Sequence, residues 1–175
     1  MKLPSDIFTN ELKYLFEILL KTGDELRLVG GCIRNYFLGK KINDYDLATQ
    51  HEPDQLIDIL KKNSVSYLDL NRKFGTITAI INGKKFEITS LRRDIASDGR
   101  HAVVKFTRDY LEDAKRRDFT FNALYSDANG VIYDYFDGIS DLKKGLIRFI
   151  GDPEQRILED HLRILRLCAV FHSMM

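Results

Sequence analysis

A chain of 175 residues has room for one domain with a substantial core and for the beginning of a second. Its 27 Lys and Arg almost balance 26 Asp and Glu, which excludes a globally basic nucleic-acid binder and leaves any polyanion recognition to local patches. Cys32 and Cys168 have neither metal-ligand spacing nor redox pairing, no run approaches a membrane span, and the N-terminus lacks a secretory apolar core, so a cytoplasmic protein with reduced thiols is expected.

Ser5 or Asp6 is placed to cap a helix ending near residue 20, with Leu12, Leu15, Phe16 and Leu19 on its apolar stripe and Thr22-Gly23 closing it. Leu26–Val29 then reads as a short strand that runs into Gly30-Gly31, and residues 32–38 form two turns of helix stopped by Gly39. A strand, a glycine turn and a helix start put several free N–H groups in one concave spot. That spot suits phosphate oxygens, and Arg34 adds a fork of donors beside it.

Residues 42–48 read as the next strand, carrying Asp44 and Asp46 two positions apart. Alternate residues of a strand share a side, about 6 to 7 Å apart, so two carboxylates there can converge on hard cations that activate an attacking oxygen. A polar strand end with Asp in a turn explains the same pair.

Gly30-Gly31-x-x-Arg34, Leu38-Gly39 and Asp44-x-Asp46 together resemble the first motif of the class II nucleotidyltransferases, the family of tRNA CCA-adding enzymes and bacterial poly(A) polymerases. The family usually has aspartate after this arginine, and this chain has Asn35.

Further along, Glu52-Pro53 opens a helix to about residue 62, and residues 65–70 read as a strand. Residues 74–81 and 84–91 are two β-rich runs joined by Asn82-Gly83, a strong hairpin signal. Glu87 alternates with Phe86 and Ile88 and so faces away from them, either to solvent or, as the resemblance implies, as a third carboxylate beside Asp44 and Asp46. Residues 92–108, with Arg92, Arg93, Asp94, Asp98, Gly99, Arg100 and His101, read as a polar irregular loop.

Arg116-Arg117-Asp118-Phe119-Thr120-Phe121-Asn122-Ala123 opens an amphipathic segment that ends near Tyr125. Two arginines and an aspartate at such an opening can bind triphosphate oxygens and a ribose hydroxyl, or form a capped helix start with surface ion pairs. The run matches the family's Arg-Arg-Asp-Phe-Thr-x-Asn-Ala motif, which implies nucleotide contacts for Arg117, Asp118 and Asn122, and Asp113 stands where relatives often carry a further acid.

Residues 131–135 and 146–150 read as short strands flanking a connection that resembles the family's linker. Asp152-Pro153 then starts a final helix, capped by aspartate with proline at its first position. On one helix Asp160 and Arg163 project side by side, presenting acceptor and donors together, either as a surface salt bridge or as a partner for the amino and ring-nitrogen edge of adenine or cytosine. Glu159-Asp160-x-x-Arg163 resembles the family's template for choosing CTP and ATP.

The resemblance implies a mixed α/β head with a sheet of about five strands and flanking helices over residues 1–145, followed by the start of a helical neck over 146–175. It implies template-independent addition of CMP and AMP to the 3′ end of tRNA by two-metal phosphoryl transfer. In that chemistry Asp44 and Asp46 hold Mg²⁺, while Gly30, Gly31 and Arg34 address the triphosphate. A poly(A) polymerase and a CC-only or A-only enzyme share these motifs and are alternatives, as is an idle nucleotide-binding or assembly subunit completed by a second chain, because family members continue through neck, body and tail regions.

Overall fold

A computed structural model describes residues 1–97 and 102–174. In chain order come α1 (Asn10–Leu20), β1 (Leu26–Val29), α2 (Gly31–Phe37), β2 (Tyr45–Thr49), α3 (Pro53–Lys62), β3 (Ser66–Leu68), β4 (Thr76–Ile81) and β5 (Lys84–Ser90). Then follow β6 (Arg92–Ser97), β7 (Ala102–Phe106), α4 (Tyr110–Lys115), β8 (Leu124–Ser126), β9 (Ile132–Asp134), α5 (Gly138–Lys143), α6 (Pro153–Glu159) and α7 (Leu162–Met174).

Seven strands form one sheet in the order β3-β4-β5-β2-β1-β8-β9, wider than the expected five because short strands of three residues extend both edges. The β2–β5 pair is parallel and the others are antiparallel. A parallel neighbour needs a long crossover, and α3, β3 and β4 supply it. The β4–β5 hairpin turns at Asn82 (φ 51°) and Gly83 (φ 77°), two left-handed residues that match the twist of the strands they join.

Strand alternation divides the sheet into two faces. Leu26, Leu28, Leu47, Ile77, Phe86 and Ile88 point to the main core, where α1 adds Leu12, Leu15 and Leu19 and α3 adds Leu56 and Leu60. Burying each such side chain contributes about 1.5–3 kcal/mol. Val29, Ala48 and Tyr125 point the other way, into a smaller cluster closed by Tyr110 and Ala114 of α4. Arg27 shares that second face, buried with its guanidinium 3.8 Å from the Tyr110 ring centroid and 3.7 Å from that of Tyr133, so it clamps β1 between α4 and β9. Asp46 and Glu87 have the parity of this second face.

Local expectations changed in five places. Residues 5–7 form a 3-10 turn, and Thr9 rather than Ser5 or Asp6 caps α1, its Oγ1 accepting from the Leu12 N–H at 3.3 Å. Asp44 precedes β2 rather than lying within it, because the strand begins at Tyr45 where pairing with Phe86 starts. The expected loop over 92–108 contains the antiparallel pair β6–β7, while Asp98, Gly99, Arg100 and His101 lie outside the described residues. Residues 146–150 are not a ladder strand; they make one isolated bridge, Phe119 to Phe149. The Arg116-Arg117-Asp118 run closes α4 instead of opening a helix, and a 3-10 turn over Thr120–Ala123 feeds the chain into β8.

Candidate active site

Gly30 is where strand becomes helix. Its φ of +72° is a conformation that side chains resist, and a Cβ there would stand 3.3 Å from the Asn122 carbonyl oxygen and 3.8 Å from Arg117 Nη1. The glycine therefore lets the β1–α2 turn approach the Arg117-to-Asn122 segment. A Cβ on Gly31 would meet Arg34 Nη2 at 3.7 Å, so that guanidinium lies over the same turn.

Hydrogen bonds join these groups. Arg34 Nη1 donates to Asn122 Oδ1 at 2.8 Å, and Asn122 Nδ2 donates to Asp118 Oδ1 at 3.0 Å. Asp118 Oδ1 also accepts from the Phe119 N–H at 2.8 Å, which fixes one carboxylate oxygen inward. Gly30, Gly31, Arg34, Arg117, Asp118 and Asn122 thus form one connected wall.

Asp113, buried on α4, carries the arginines. Its two oxygens hold Arg116 at 2.7 Å and Arg117 at 3.0 Å, and Tyr125 Oη donates to it at 2.7 Å. Burial raises its pKa, but the Arg117 and Arg116 charges outweigh that and bring the carboxyl down to about 2. The Asp113–Arg117 spacing of i, i+4 was legible in the sequence, whereas the part of Tyr125 required the fold.

Asp46 on β2 is the register partner of Glu87 on β5. Both side chains reach solvent. The Asp46 pKa is raised, first by desolvation and then by the Glu87 charge, with Asp44 adding to it and Arg117 and Arg34 opposing it. Asp46 therefore feels two neighbouring acids, Glu87 and Asp44, and carboxylates are the hard oxygen donors that divalent cations take. Among the described residues no group of three or more His, Cys, Asp and Glu is gathered closely enough to hold a metal alone. A cation bound here would take one or two carboxylates from the protein and complete its shell from substrate and water.

Asp160 and Arg163 do not project side by side from one helix. Asp160 adopts an extended conformation (φ −153°, ψ 99°) that ends α6, and its Oδ1 accepts from the Leu162 N–H at 3.0 Å to cap α7. An aspartate that satisfies a new helix start is competing with continuation of the old helix. Arg163 is buried and committed to protein: it donates to the Arg156 carbonyl at 2.7 Å, Glu159 at 3.0 Å and the Arg116 carbonyl at 3.3 Å. Arg166 connects this junction to the wall, 3.5 Å from Asp160 Oδ2 and 3.6 Å from Asp118 Oδ2.

Residues 26–148 match the model of the poly A polymerase head domain. The chain belongs to that family. The chain is 45% identical over 172 residues to the mitochondrial CCA tRNA nucleotidyltransferase 1 of Homo sapiens, covering 95% of this chain and 39% of that protein. It is 41% identical over 163 residues to the CCA-adding enzyme of Lactobacillus johnsonii, covering 92% and 40%. Among solved structures it resembles the Bacillus stearothermophilus CCA-adding enzyme in complex with CTP, with a TM-score of 0.81, 34% identity, and coverage of 91% of this chain and 38% of that one. It also resembles a tRNA nucleotidyltransferase complexed with a primer tRNA and an incoming ATP analogue, with a TM-score of 0.69, 30% identity, and coverage of 87% and 42%. The chain spans about two fifths of the length of these relatives. Membership of a nucleotidyltransferase family implies dependence on a divalent cation. Among the described residues no helix is long and apolar enough to cross a membrane.

Proposed function

We propose that this chain is the catalytic head of an enzyme that adds CMP and AMP from CTP and ATP to the 3′ end of tRNA. The observation that carries the reading is the Asp46–Glu87 register pair beside the wall of Gly30, Arg34, Arg117, Asp118 and Asn122. Its likeness to CCA-adding enzymes over nearly the entire chain supports the choice of substrates.

In this reading Asp44 and Asp46 hold Mg²⁺, with Glu87 beside them. A cation there supplies charge neutralisation at the reacting phosphates and acidifies the attacking hydroxyl. Arg34, with the Gly30-Gly31 turn, takes the triphosphate, and Arg117 lends positive charge held in place by Asp113. Asp118, with one oxygen tied inward, offers the other to a ribose hydroxyl. Asp160 and Arg163 read the base in this proposal. Because Arg163 makes three contacts to protein, base reading by this pair requires it to exchange some of them for the nucleotide.

The division into a head over 1–145 and the start of a neck over 146–175 belongs to the same proposal, supported by the family match ending at residue 148. So does a cytoplasmic setting, which the free thiols of Cys32 and Cys168 support.

The test is incubation of the purified protein with Mg²⁺, CTP or ATP and a tRNA lacking its 3′ end, with and without a chain supplying the helical body. Incorporation of C and then A supports the proposal. Repeated A alone identifies a poly(A) polymerase, CC alone or a single A a partial enzyme, and nucleotide binding without incorporation in either condition an idle subunit.

A further inference from the structure

The arginines of the site are supported in two different ways. Arg116 and Arg117 share the buried carboxylate of Asp113, so part of their charge is already answered inside the protein. Arg34 is held by amides alone. Its Nε and Nη2 donate to Asn35 Oδ1 at 3.3 and 3.2 Å, and its Nη1 donates to Asn122 Oδ1 at 2.8 Å. Among the described residues no carboxylate lies within ion-pair distance of Arg34.

We propose that Asn35 is a positioning residue that orients Arg34 without neutralising it, so that a full guanidinium charge faces the polyphosphate end of the ligand at the Gly30-Gly31 turn. This rests on the reading of that turn as the triphosphate site. An amide oxygen accepts from the guanidinium fork much as a carboxylate does, but it leaves the net charge at +1. A carboxylate in the same place would form the charged version of the same contact and compete with phosphate for the same donors.

Asn122 fixes the other side of Arg34. Its oxygen faces Arg34 and its nitrogen faces Asp118, and a flipped amide would set NH₂ against the guanidinium and oxygen against the carboxylate. The amide therefore has one orientation. It also stands between Arg34 and the Asp118 carboxylate, bonded to both.

The experiment uses inorganic tripolyphosphate, which needs neither base, ribose nor catalysis. Its affinity for the protein is measured by calorimetry without divalent cation, for the natural chain, Asn35→Asp and Asn35→Ala, across a range of salt. Asn35→Asp is expected to weaken binding about tenfold, since an added negative charge within several ångströms of the phosphates is worth that much at a partly exposed site, and to flatten the salt dependence. Asn35→Ala loses only an orienting contact and is expected to weaken binding about threefold. In nucleotide incorporation the Asn35→Asp loss is expected mainly in KM for the nucleotide.

Equal weakening by both variants, or unchanged tripolyphosphate affinity in Asn35→Asp, would overturn the proposal. Asn35 is partly exposed, and a circular-dichroism melt of each variant separates a charge effect from a folding defect. If incorporation is absent but tripolyphosphate binding responds as expected, the reading of the reaction fails while the role of Asn35 stands.

Discussion

Asp46 and Glu87, 41 positions apart in sequence, are direct neighbours across the one parallel strand pair of the main sheet. Two carboxylates held at adjacent register positions on one face repel each other in the absence of a cation, and the Asp46 pKa is raised by desolvation first and by that repulsion second. Since its folded pKa lies above the unfolded value, ionised Asp46 costs stability, and the cost appears as pH rises through the folded pKa. Asp46→Asn is therefore expected to raise the thermal midpoint at pH 7 by about 1 to 3 °C in metal-free buffer while lowering incorporation at least a hundredfold, on the order of what one lost electrostatic partner at a transition state costs. A melt and an incorporation assay on the same preparation check this, and retained activity would refute the role of Asp46.

Asp113 shows the opposite sign. Its folded pKa is brought down to about 2 from 3.8, so its contribution is complete above about pH 4 and is lost as pH falls towards 2. Asp113→Asn leaves Arg116 and Arg117 without their buried counter-charge and is expected to cost about 3 kcal/mol at pH 7, the usual cost of breaking a buried pair from one side. Urea unfolding at pH 7 and at pH 2.5 is the measurement. The difference between the two chains should shrink at the lower pH; an equal difference at both would mean that packing, not charge, is what Asp113 provides.

Gly138 and Gly39 separate steric need from backbone need. A Cβ on Gly138 would stand 2.5 Å from the Thr120 carbonyl oxygen, so Gly138→Ala must push α5 off the segment that carries Asp118 and Asn122, at about 2 kcal/mol or more. Gly39, with φ +65° and open space around it, carries only the cost of a left-handed alanine, about 1 kcal/mol. Denaturant midpoints of the two variants should rank in that order, and the Gly138 variant alone should lose nucleotide affinity.

Asp160→Ala is expected to lose about 1 kcal/mol of stability, since its carboxylate caps α7. If it also reads the base, selection of CTP and ATP over UTP and GTP should fall at least tenfold, because a mismatched base no longer meets a buried unpaired group. Competition binding with the four nucleotides measures both effects on one sample. Unchanged discrimination would leave Asp160 only the cap.

Several features needed nothing beyond one dimension. Apolar periodicity and turn residues marked α3, the β4–β5 hairpin and the glycine turn after β1, because capping, alternation and left-handed backbone are governed by neighbours a few residues away. The motifs containing Arg34, Asp46 and Arg117 were visible for the same reason: each is a run of nearby residues whose chemistry is plain from its composition.

Helix continuity through Asp160 was one more local inference that failed. The spacing of Leu158, Leu162 and Leu165 satisfies a single helix, and only the competing cap on α7, with Arg163 turned to the Arg116 carbonyl, decides for two. The pairing of β6 with β7 was hidden likewise, because Arg92-Arg93-Asp94 shows no apolar alternation and no local signal names a partner for the short run at 102–106.

Sequence alone determined which residue types this protein brings to phosphate chemistry and in what local order, since those depend on side-chain identity and short spacing. Tertiary structure alone decided that Glu87 sits beside Asp46 rather than facing only solvent, that Tyr125 joins Asp113 in supporting Arg117, and that the amide of Asn122 reaches Arg34. Those relations join segments up to 88 residues apart, and their geometry follows from strand register and packing, which no local pattern of residues specifies.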